Sequence, residues 1–245
     1  MTDLLNGIKE LLDKEGVFIF ETAYMPDLIS KNIFDNIYHE HLSYFSVKSI
    51  NHLLAINELE LFDIQHIDTK GGSIRGFAQF KNGPHAKSKS MINMIASETR
   101  NNLDKIEFFK NFDNRVSYMK NELLGILKKL KEQNKIIAGY GASVGVTTMI
   151  YHLNLNDYLS FLLDDNPIRN GLFTPGYHIP VLSSKLLPEK KPDYILILAW
   201  RYSKPIIQKN LEYLNRGGKF IIVDMENLEI KTIDKNNSNL ILQQK

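Results

Sequence analysis

Lys135-Ile136-Ile137-Ala138-Gly139-Tyr140-Gly141-Ala142-Ser143-Val144-Gly145 decides the fold: a short apolar run enters a glycine turn, and Thr147 to Leu153 continue at helical spacing. A turn of this kind, between a strand and the helix it opens, is where backbone N–H groups and the helix dipole receive a phosphate. Outward toward the C-terminus, Tyr158 to Leu163 and Tyr194 to Ala199 read as strands, Ile206 to Leu214 as a helix and Lys219 to Val223 as a strand. Such alternation argues for an α/β fold built on a Rossmann-like, doubly wound parallel sheet. Asp164 and Asp165 end the second strand, near where a dinucleotide fold places the carboxylate that accepts from a ribose hydroxyl. The third glycine comes one position later than in G-x-G-x-x-G, so the turn reads either as a nucleotide site or as close helix-to-strand packing.

Outward toward the N-terminus, Ala86 to Gln133 contain no proline and the single glycine Gly125, while Met91, Met94, Ile95, Leu103, Ile106, Phe109, Leu123, Leu124, Leu127 and Leu130 recur at helical intervals. This predicts a helical connector over 86–133, between a first block at 1–85 and the α/β block at 134–245. In the first block Leu4, Leu5, Ile8, Leu11 and Leu12 predict a helix and Val17-Phe18-Ile19-Phe20 a buried strand. Ser46 reads as the N-cap of a helix carrying Ile50, Leu53 and Leu54. Leu61-Phe62-Asp63-Ile64 and Ser73 to Phe80 read as strands joined through a Gly71-Gly72 turn. The final Asp234 to Asn239 segment is polar enough to fray.

Composition narrows the partners. The 245 residues are 43% apolar and 24% charged, with a net charge of +2 spread along the chain, which nominates neither nucleic acid nor membrane. No run approaches the roughly 18 apolar residues of a membrane span. Met1-Thr2-Asp3-Leu4-Leu5 lacks the features of a signal peptide, so the expected setting is cytoplasmic. With no cysteine there is no disulfide, thiol nucleophile or cysteine-ligated zinc, and no structural metal is expected.

Tyr38-His39-Glu40-His41-Leu42-Ser43-Tyr44-Phe45-Ser46 packs imidazoles, a carboxylate and phenols into one short stretch, a density that core packing rarely requires. Asp35 and Asn36 before it and the Ser46 cap after it predict an irregular segment, where catalytic groups are common. The alternative is that these groups simply satisfy one another's hydrogen bonds at a domain junction. The spacing of His39 and His41 is not that of a helical zinc pair.

Taken in order, Tyr38-His39-Glu40-His41 with Tyr44-Phe45-Ser46, Gly71-Gly72-Ser73-Ile74-Arg75, Gly139-Tyr140-Gly141-Ala142-Ser143, Asp164-Asp165-Asn166-Pro167, and Gly171 to Pro180 resemble the S-adenosylmethionine-dependent sugar C-methyltransferases. These methylate a carbon beside the ketone of a nucleotide-linked keto-deoxysugar. Family members are typically longer, with a cysteine-ligated zinc module and a donor-binding glycine loop ahead of the matching region. The chain thus resembles the carboxyl-terminal half, beginning near the last part of the methyltransferase sheet. The resemblance implies S-adenosylmethionine as cofactor, a nucleotide-linked keto-sugar as partner, and a separate amino-terminal donor-binding polypeptide. At Gly145 the chain departs from many relatives, which carry lysine there.

Methylating carbon requires a base to remove the proton alpha to the ketone and a donor to stabilise the enolate oxygen. His41 matches the position the family uses as base, Glu40 would orient or charge-stabilise it, and Tyr38 would donate to the carbonyl or enolate. His39 and Tyr44 join them as sugar-facing candidates. Gly141, Ser143 and Asp164 are candidates for holding the nucleotide, Tyr177 for stacking on its base, His178 for shaping the same loop, and Arg201 for pairing with a diphosphate. Trp200 reads equally as a ligand contact or as closing the core. Gly71, Gly72 and Arg75 fit a hairpin as well as a substrate-facing backbone. His52, His66, His85 and His152 read as structural. Two other functions are open: a non-catalytic nucleotide-sugar-binding or assembly subunit, and an NAD-dependent oxidoreductase built on Gly139 to Gly145 and Asp164.

Overall fold

The computed structural model describes residues 1–69 and 71–238, and the chain divides into two units: Met1–Ile33 with Glu40–Asp113, and Phe34–His39 with Asn114–Lys245. In the first unit, helix α1 (Thr2–Leu11) precedes strand β1 (Phe18–Ala23) and helix α2 (Met25–Ser30), and α3 (Val47–Ala55) precedes β2 (Leu59–Ile67), β3 (Ser73–Phe80) and α4 (Lys89–Arg100). Strand β3 lies between the other two and is antiparallel to both. Leu5, Val47, Ile50, Leu54, Leu59, Leu61, Ile64, Ile74 and Met91 form the core.

The β2–β3 hairpin depends on its glycines. Gly72 has φ +135°, and a Cβ there would fall 2.0 Å from Asp27 Oδ2, so only glycine lets the turn close over α2. Strand β1 corrects one expectation. It is an edge strand whose residues alternate, with Phe18 and Phe20 packed against the core and Ile19 55% exposed. Four successive apolar residues imply burial on both faces, but an edge strand has only one core face to offer.

The second unit takes helix α5 (Ile106–Glu132) from Asn114 onward, with Val116, Met119, Leu123, Leu127 and Leu130 buried along one stripe. A break at Asn101–Lys105 separates it from α4. Strand β4 (Ile137–Tyr140), α6 (Val144–His152), β5 (Phe161–Asp164), β6 (Val181–Ser183), α7 (Leu187–Lys190), β7 (Tyr194–Ile197), α8 (Ser203–Lys209), α9 (Leu211–Asn215), β8 (Lys219–Asp224) and β9 (Glu229–Ile233) follow. The sheet order is β6-β5-β4-β7-β8-β9, parallel except for the antiparallel edge strand β9. This is a Rossmann-like α/β sheet: chain order runs outward from β4 through β5 and β6, then restarts beside β4 with β7.

Several details differ from the periodicity. The helix expected over 206–214 starts at Ser203 and is interrupted at Asn210, whose side chain bonds back to the Ile206 carbonyl. Strand β6 is three residues long, too short to leave a pattern. Within the described part of the polar tail, the Asp234 carboxylate accepts from the Asn236 and Asn237 N–H groups and folds the chain into a turn. Asn239 lies outside the described residues.

Candidate functional site

Open α/β sheets bind ligands beyond the carboxyl ends of their strands where the strand order reverses. Here that point lies between β4 and β7. A cleft of about 330 Å³ opens there, lined by Gly141, Ser143, Asp164, Asp165, Arg169 and Lys209 among others. Gly141 has φ +109°, and a Cβ on it would meet the Ala199 methyl at 2.8 Å, so the turn after β4 closes tightly over the residues after β7. Ser143 sits at the N-cap of α6 and makes no side-chain capping bond. The structure therefore brings Gly141, Ser143 and Asp164 to one place.

The two aspartates there are engaged within the chain. Asp164 is 7% exposed; its Oδ2 accepts from the Ala142 N–H at 2.7 Å, its Oδ1 from the Asn166 N–H at 2.8 Å, and Arg169 Nη1 approaches at 3.2 Å. The carboxylate pins the glycine turn, and the lone pairs expected for a ribose hydroxyl are spent on backbone. Asp165 accepts from the Tyr140 hydroxyl at 3.0 Å and pairs with the Ser184 hydroxyl and the Lys209 ammonium. Partial burial works to raise this carboxyl, but the hydrogen bonds from Lys209, Ser184 and Tyr140 outweigh it and hold it below the usual carboxylate range. Lys209 is shifted the other way: burial opposes its charge, and Asp165 more than restores it.

A second cleft, of about 650 Å³, is lined by Tyr38 and His39 together with α6 residues Val144, Thr148 and Tyr151, and by Pro175. Tyr177 stacks on Tyr151 with ring centroids 4.3 Å apart, and both rings are exposed. His178, at φ +53°, donates its N–H to the Thr174 carbonyl, which folds the loop back on itself. Tyr38 and His39 reach this cleft because the 3₁₀ turn Phe34–Asn36 docks on α6. Thr148 Oγ1 donates to the Ile37 carbonyl at 3.0 Å, and the Phe34 ring lies 5.1 Å from that of His152. Gly145 permits the contact, since a Cβ there would stand 2.9 Å from the Asp35 carbonyl oxygen. Packing thus accounts for the glycine at 145.

Arg201 and Trp200 also meet that turn. The Arg201 guanidinium pairs with the buried Asp35 carboxylate at 2.9 and 3.3 Å, the Trp200 indole N–H donates to it at 3.1 Å, and the guanidinium lies over the indole at 4.3 Å. Arg201 is therefore committed within the chain rather than directed at the β4–β7 cleft, and Trp200 serves the same contact.

The unit boundary falls between His39 and Glu40, so Glu40, His41 and Tyr44 belong to the first unit. The stretch from Ile37 to Phe45 carries no helix or strand, as its composition predicts. Glu40 is exposed, whereas His41 and Tyr44 are half-buried. The segment ends at Ser46, whose hydroxyl accepts from the Ser49 N–H while the Ser49 hydroxyl accepts from Ser46, a reciprocal capping box. The Phe45 carbonyl takes the Met25 N–H, and Glu98, 1% exposed, accepts from the first two amides of α3, Val47 at 2.6 Å and Lys48 at 2.9 Å, and from the Tyr24 hydroxyl at 3.0 Å. Burial first, and the Glu98 charge second, push the Tyr24 phenol far above its ordinary value. Asp35 and Glu98 were not singled out as site residues from the sequence. Asp35 reads as turn chemistry, Glu98 falls inside the helical connector predicted over 86–133, and neither has a motif that would mark it. Among the described residues no group of His, Asp and Glu side chains could hold a metal ion, and no helix is long and apolar enough to cross a membrane.

Residues 68–223 match the C-methyltransferase C-terminal domain family, which is more than half of the chain. The chain belongs to that family. The match agrees with the resemblance carried by the five ordered motifs and covers four of them; the Tyr38-to-Ser46 motif lies ahead of it. The C-methyltransferase NovU of Streptomyces niveus is 31% identical over 221 residues, covering 90% of this chain and 53% of that protein. The chain thus spans about half the length of the curated relative it matches. The crystal structure of UDP-D-quinovosamine 4-dehydrogenase from Vibrio fischeri aligns with 42% of this C-methyltransferase-family chain and 97% of its own, at 15% identity and a TM-score of 0.33, a likeness too slight to bear on function.

Proposed function

We propose that this chain supplies the substrate-holding and proton-abstracting part of a C-methyltransferase acting on a nucleotide-linked keto-deoxysugar, with His41 as the base that removes the proton alpha to the ketone. The observation that supports the substrate-holding part of this reading is the second-unit cleft in which Tyr38 and His39 stand against α6, the helix that the glycine turn opens; the role of His41 rests on its match to the family motif two residues further on. A neutral imidazole accepts a proton at working pH, and a positioned base contributes about 10²–10⁴-fold. Glu40 is the neighbour to orient His41, and Tyr38 is the phenol to donate to the enolate oxygen. His39, beside Tyr38 in the cleft, is a further sugar-facing candidate, and Tyr44 is one by its place in the motif. The nucleotide lies along the second unit, with Gly141 and Ser143 offering the turn and Tyr177 a free aromatic face.

S-adenosylmethionine is the donor the family implies, and when bound it supplies an electrophilic methyl group. The described residues of the first unit do not fit it: their sheet is three antiparallel strands, with no parallel strand leading through a glycine turn into a helix. The donor is assigned to a separate amino-terminal segment. The reading as a dehydrogenase is disfavoured by the internal bonds of Asp164.

The test needs no donor. The chain is mixed in D₂O with a nucleoside-diphosphate-linked keto-deoxysugar, and loss of the α-proton signal is followed by NMR. Wild type should exchange well above the buffer rate, and His41→Ala should lose about 10²–10⁴ of that rate. Equal exchange by wild type and variant would remove His41 as the base, and absence of exchange with bound sugar would leave a binding subunit.

A further inference from the structure

The Phe34–His39 stretch belongs to the second unit although it is far from the rest of that unit in sequence, and one buried carboxylate ties it there. Asp35 is 6% exposed and accepts from three donors on two neighbouring residues, two from Arg201 and one from Trp200. Trp200 and Arg201 stand in the turn that begins three residues after β7 ends, so the tie runs to the carboxyl edge of the sheet, beside the strand-order reversal. The Asp35 backbone is fixed as well: its carbonyl lies against Gly145, and the Ile37 carbonyl receives Thr148 Oγ1. Tyr38 and His39 come next in the chain, and both line the α6 cleft.

From this geometry we infer that Asp35 and Arg201 are positioning residues: their ion pair, closed by Trp200, holds Tyr38 and His39 at the cleft in the orientation the sugar meets. The inference rests on the proposed sugar chemistry for its catalytic arm and on the geometry alone for its structural arm. The pair is strong for identifiable reasons. A guanidinium fork meets a carboxylate through two nitrogens, the carboxylate is buried, and the indole supplies the remaining donor, so no partner is left unsatisfied. Lysine in place of Arg201 would keep the charge and lose both the fork and the stacking on Trp200. A pair that served only overall stability would not select between the atoms of Tyr38 and those of the rest of the unit, whereas a positioning pair must affect the Ile37–His39 backbone first.

The experiment uses the full chain with Asp35→Asn, Arg201→Ala and Arg201→Lys. Trp200 is the only tryptophan, so its emission reports the contact directly. Arg201→Ala should shift Trp200 emission and speed amide hydrogen exchange at Ile37, Tyr38 and His39 by about tenfold to a hundredfold, the factor that charge-assisted hydrogen bonds to a buried carboxylate are worth. Amides of β4, β7 and β8 should keep their protection, which shows that the unit is folded. In the α-proton exchange assay kcat should fall about tenfold or more while KM for the sugar nucleotide changes little, and Arg201→Lys should recover only part of it. Unchanged protection at Ile37 to His39 in Arg201→Ala overturns the inference, as does lost protection with unchanged kcat. If Arg201→Ala fails to fold, Asp35→Asn decides by the same readings, since it keeps the side-chain shape and an acceptor for Trp200. If the wild-type chain exchanges no α-proton at all, the proposed function falls, and the amide and emission readings still decide whether the pair holds the segment.

Discussion

Replacing Glu98 by glutamine tests whether a buried carboxylate fixes the start of α3 and with it the end of the irregular Tyr38–Phe45 segment. The wild-type side chain is 1% exposed and accepts three hydrogen bonds, two from the leading amides of α3, which have no partner inside the helix. Glutamine keeps one oxygen, enough for Tyr24 and Val47, but turns an NH₂ group toward the Lys48 N–H, so a donor faces a donor. The lost charge-assisted bond is worth about 1.5–3 kcal/mol, and the lost negative charge at the helix N-terminus about 0.3–1 kcal/mol more. The expected cost to the first unit is therefore about 2–4 kcal/mol. Because the sole tryptophan, Trp200, lies in the second unit, fluorescence and first-unit amide exchange report the two units separately. In urea the first-unit midpoint should fall by about 1–2 M, given slopes of about 1–3 kcal/mol/M, with the fluorescence midpoint nearly unmoved. Ser46→Ala, which removes a cap from the same helix end, should cost about 1 kcal/mol alone and less than that on top of Glu98→Gln. A first-unit shift under about 0.3 M for Glu98→Gln would refute the reasoning, since slopes of this size make that less than the smallest bond invoked.

Two further outcomes follow from the second unit. Gly145→Ala gains about 1 kcal/mol of helix propensity, but its Cβ would stand 2.9 Å from a backbone oxygen of Asp35, and overpacking costs about 1–3 kcal/mol; the variant should melt lower than wild type by Trp200 fluorescence, and a higher melting temperature would show that the Phe34–Asn36 turn is free to move away. Lys209→Met should destabilise most in a middle pH window. The folded Asp165 value is depressed, so its contribution is complete above the unfolded carboxylate value of about 3.9 and disappears as pH falls through the folded value. The folded Lys209 value is raised, so its contribution is complete below about 10.4 and disappears as pH rises through the folded value. Urea midpoints of wild type and variant should converge at both ends; a constant gap from pH 3 to 11 would show that the ion pair contributes nothing that titrates.

The α/β sheet was legible from 135–145 because a buried parallel strand, a glycine turn and a helix leave three different patterns in one short stretch. The hairpin around Gly71 and Gly72 was legible for the same reason. What the pattern could not give was the edge of each sheet. Strand β1 looks buried because apolar side chains on its outer face carry no mark of exposure, β6 is shorter than any period, and β9 pairs antiparallel through a run of mixed charges, Glu229 to Ile233. Among the site residues, Gly141, Ser143 and Asp164 converge because they stand at the carboxyl ends of the adjacent strands β4 and β5. Arg201 looked available for a phosphate because its partner, Asp35, is distant in sequence. Periodicity describes a residue's relation to its own element and is silent on ion pairs across such distances.

The two unmarked carboxylates share a logic. Asp35 lies three positions before Tyr38, and Glu98 holds the amides that follow Ser46, so the irregular stretch carrying Tyr38, His39, Glu40, His41 and Tyr44 leaves one unit and enters the other through a carboxylate bonded at each end. A segment without helix or strand has no ladder of its own to offset the roughly 1–2 kcal/mol per residue of backbone freedom lost on ordering. Buried charge-assisted bonds at its two ends limit that freedom. Burying a carboxylate is costly unless its oxygens find donors, and at both sites each carboxylate oxygen accepts at least one hydrogen bond, from backbone amides and a phenol at Glu98 and from an indole and a guanidinium at Asp35. A chain that needed the stretch only as a connection would gain nothing from two such sites that a pair of apolar anchors would not give at lower cost. Their presence argues that the direction of the segment, rather than its mere attachment, is what the fold maintains.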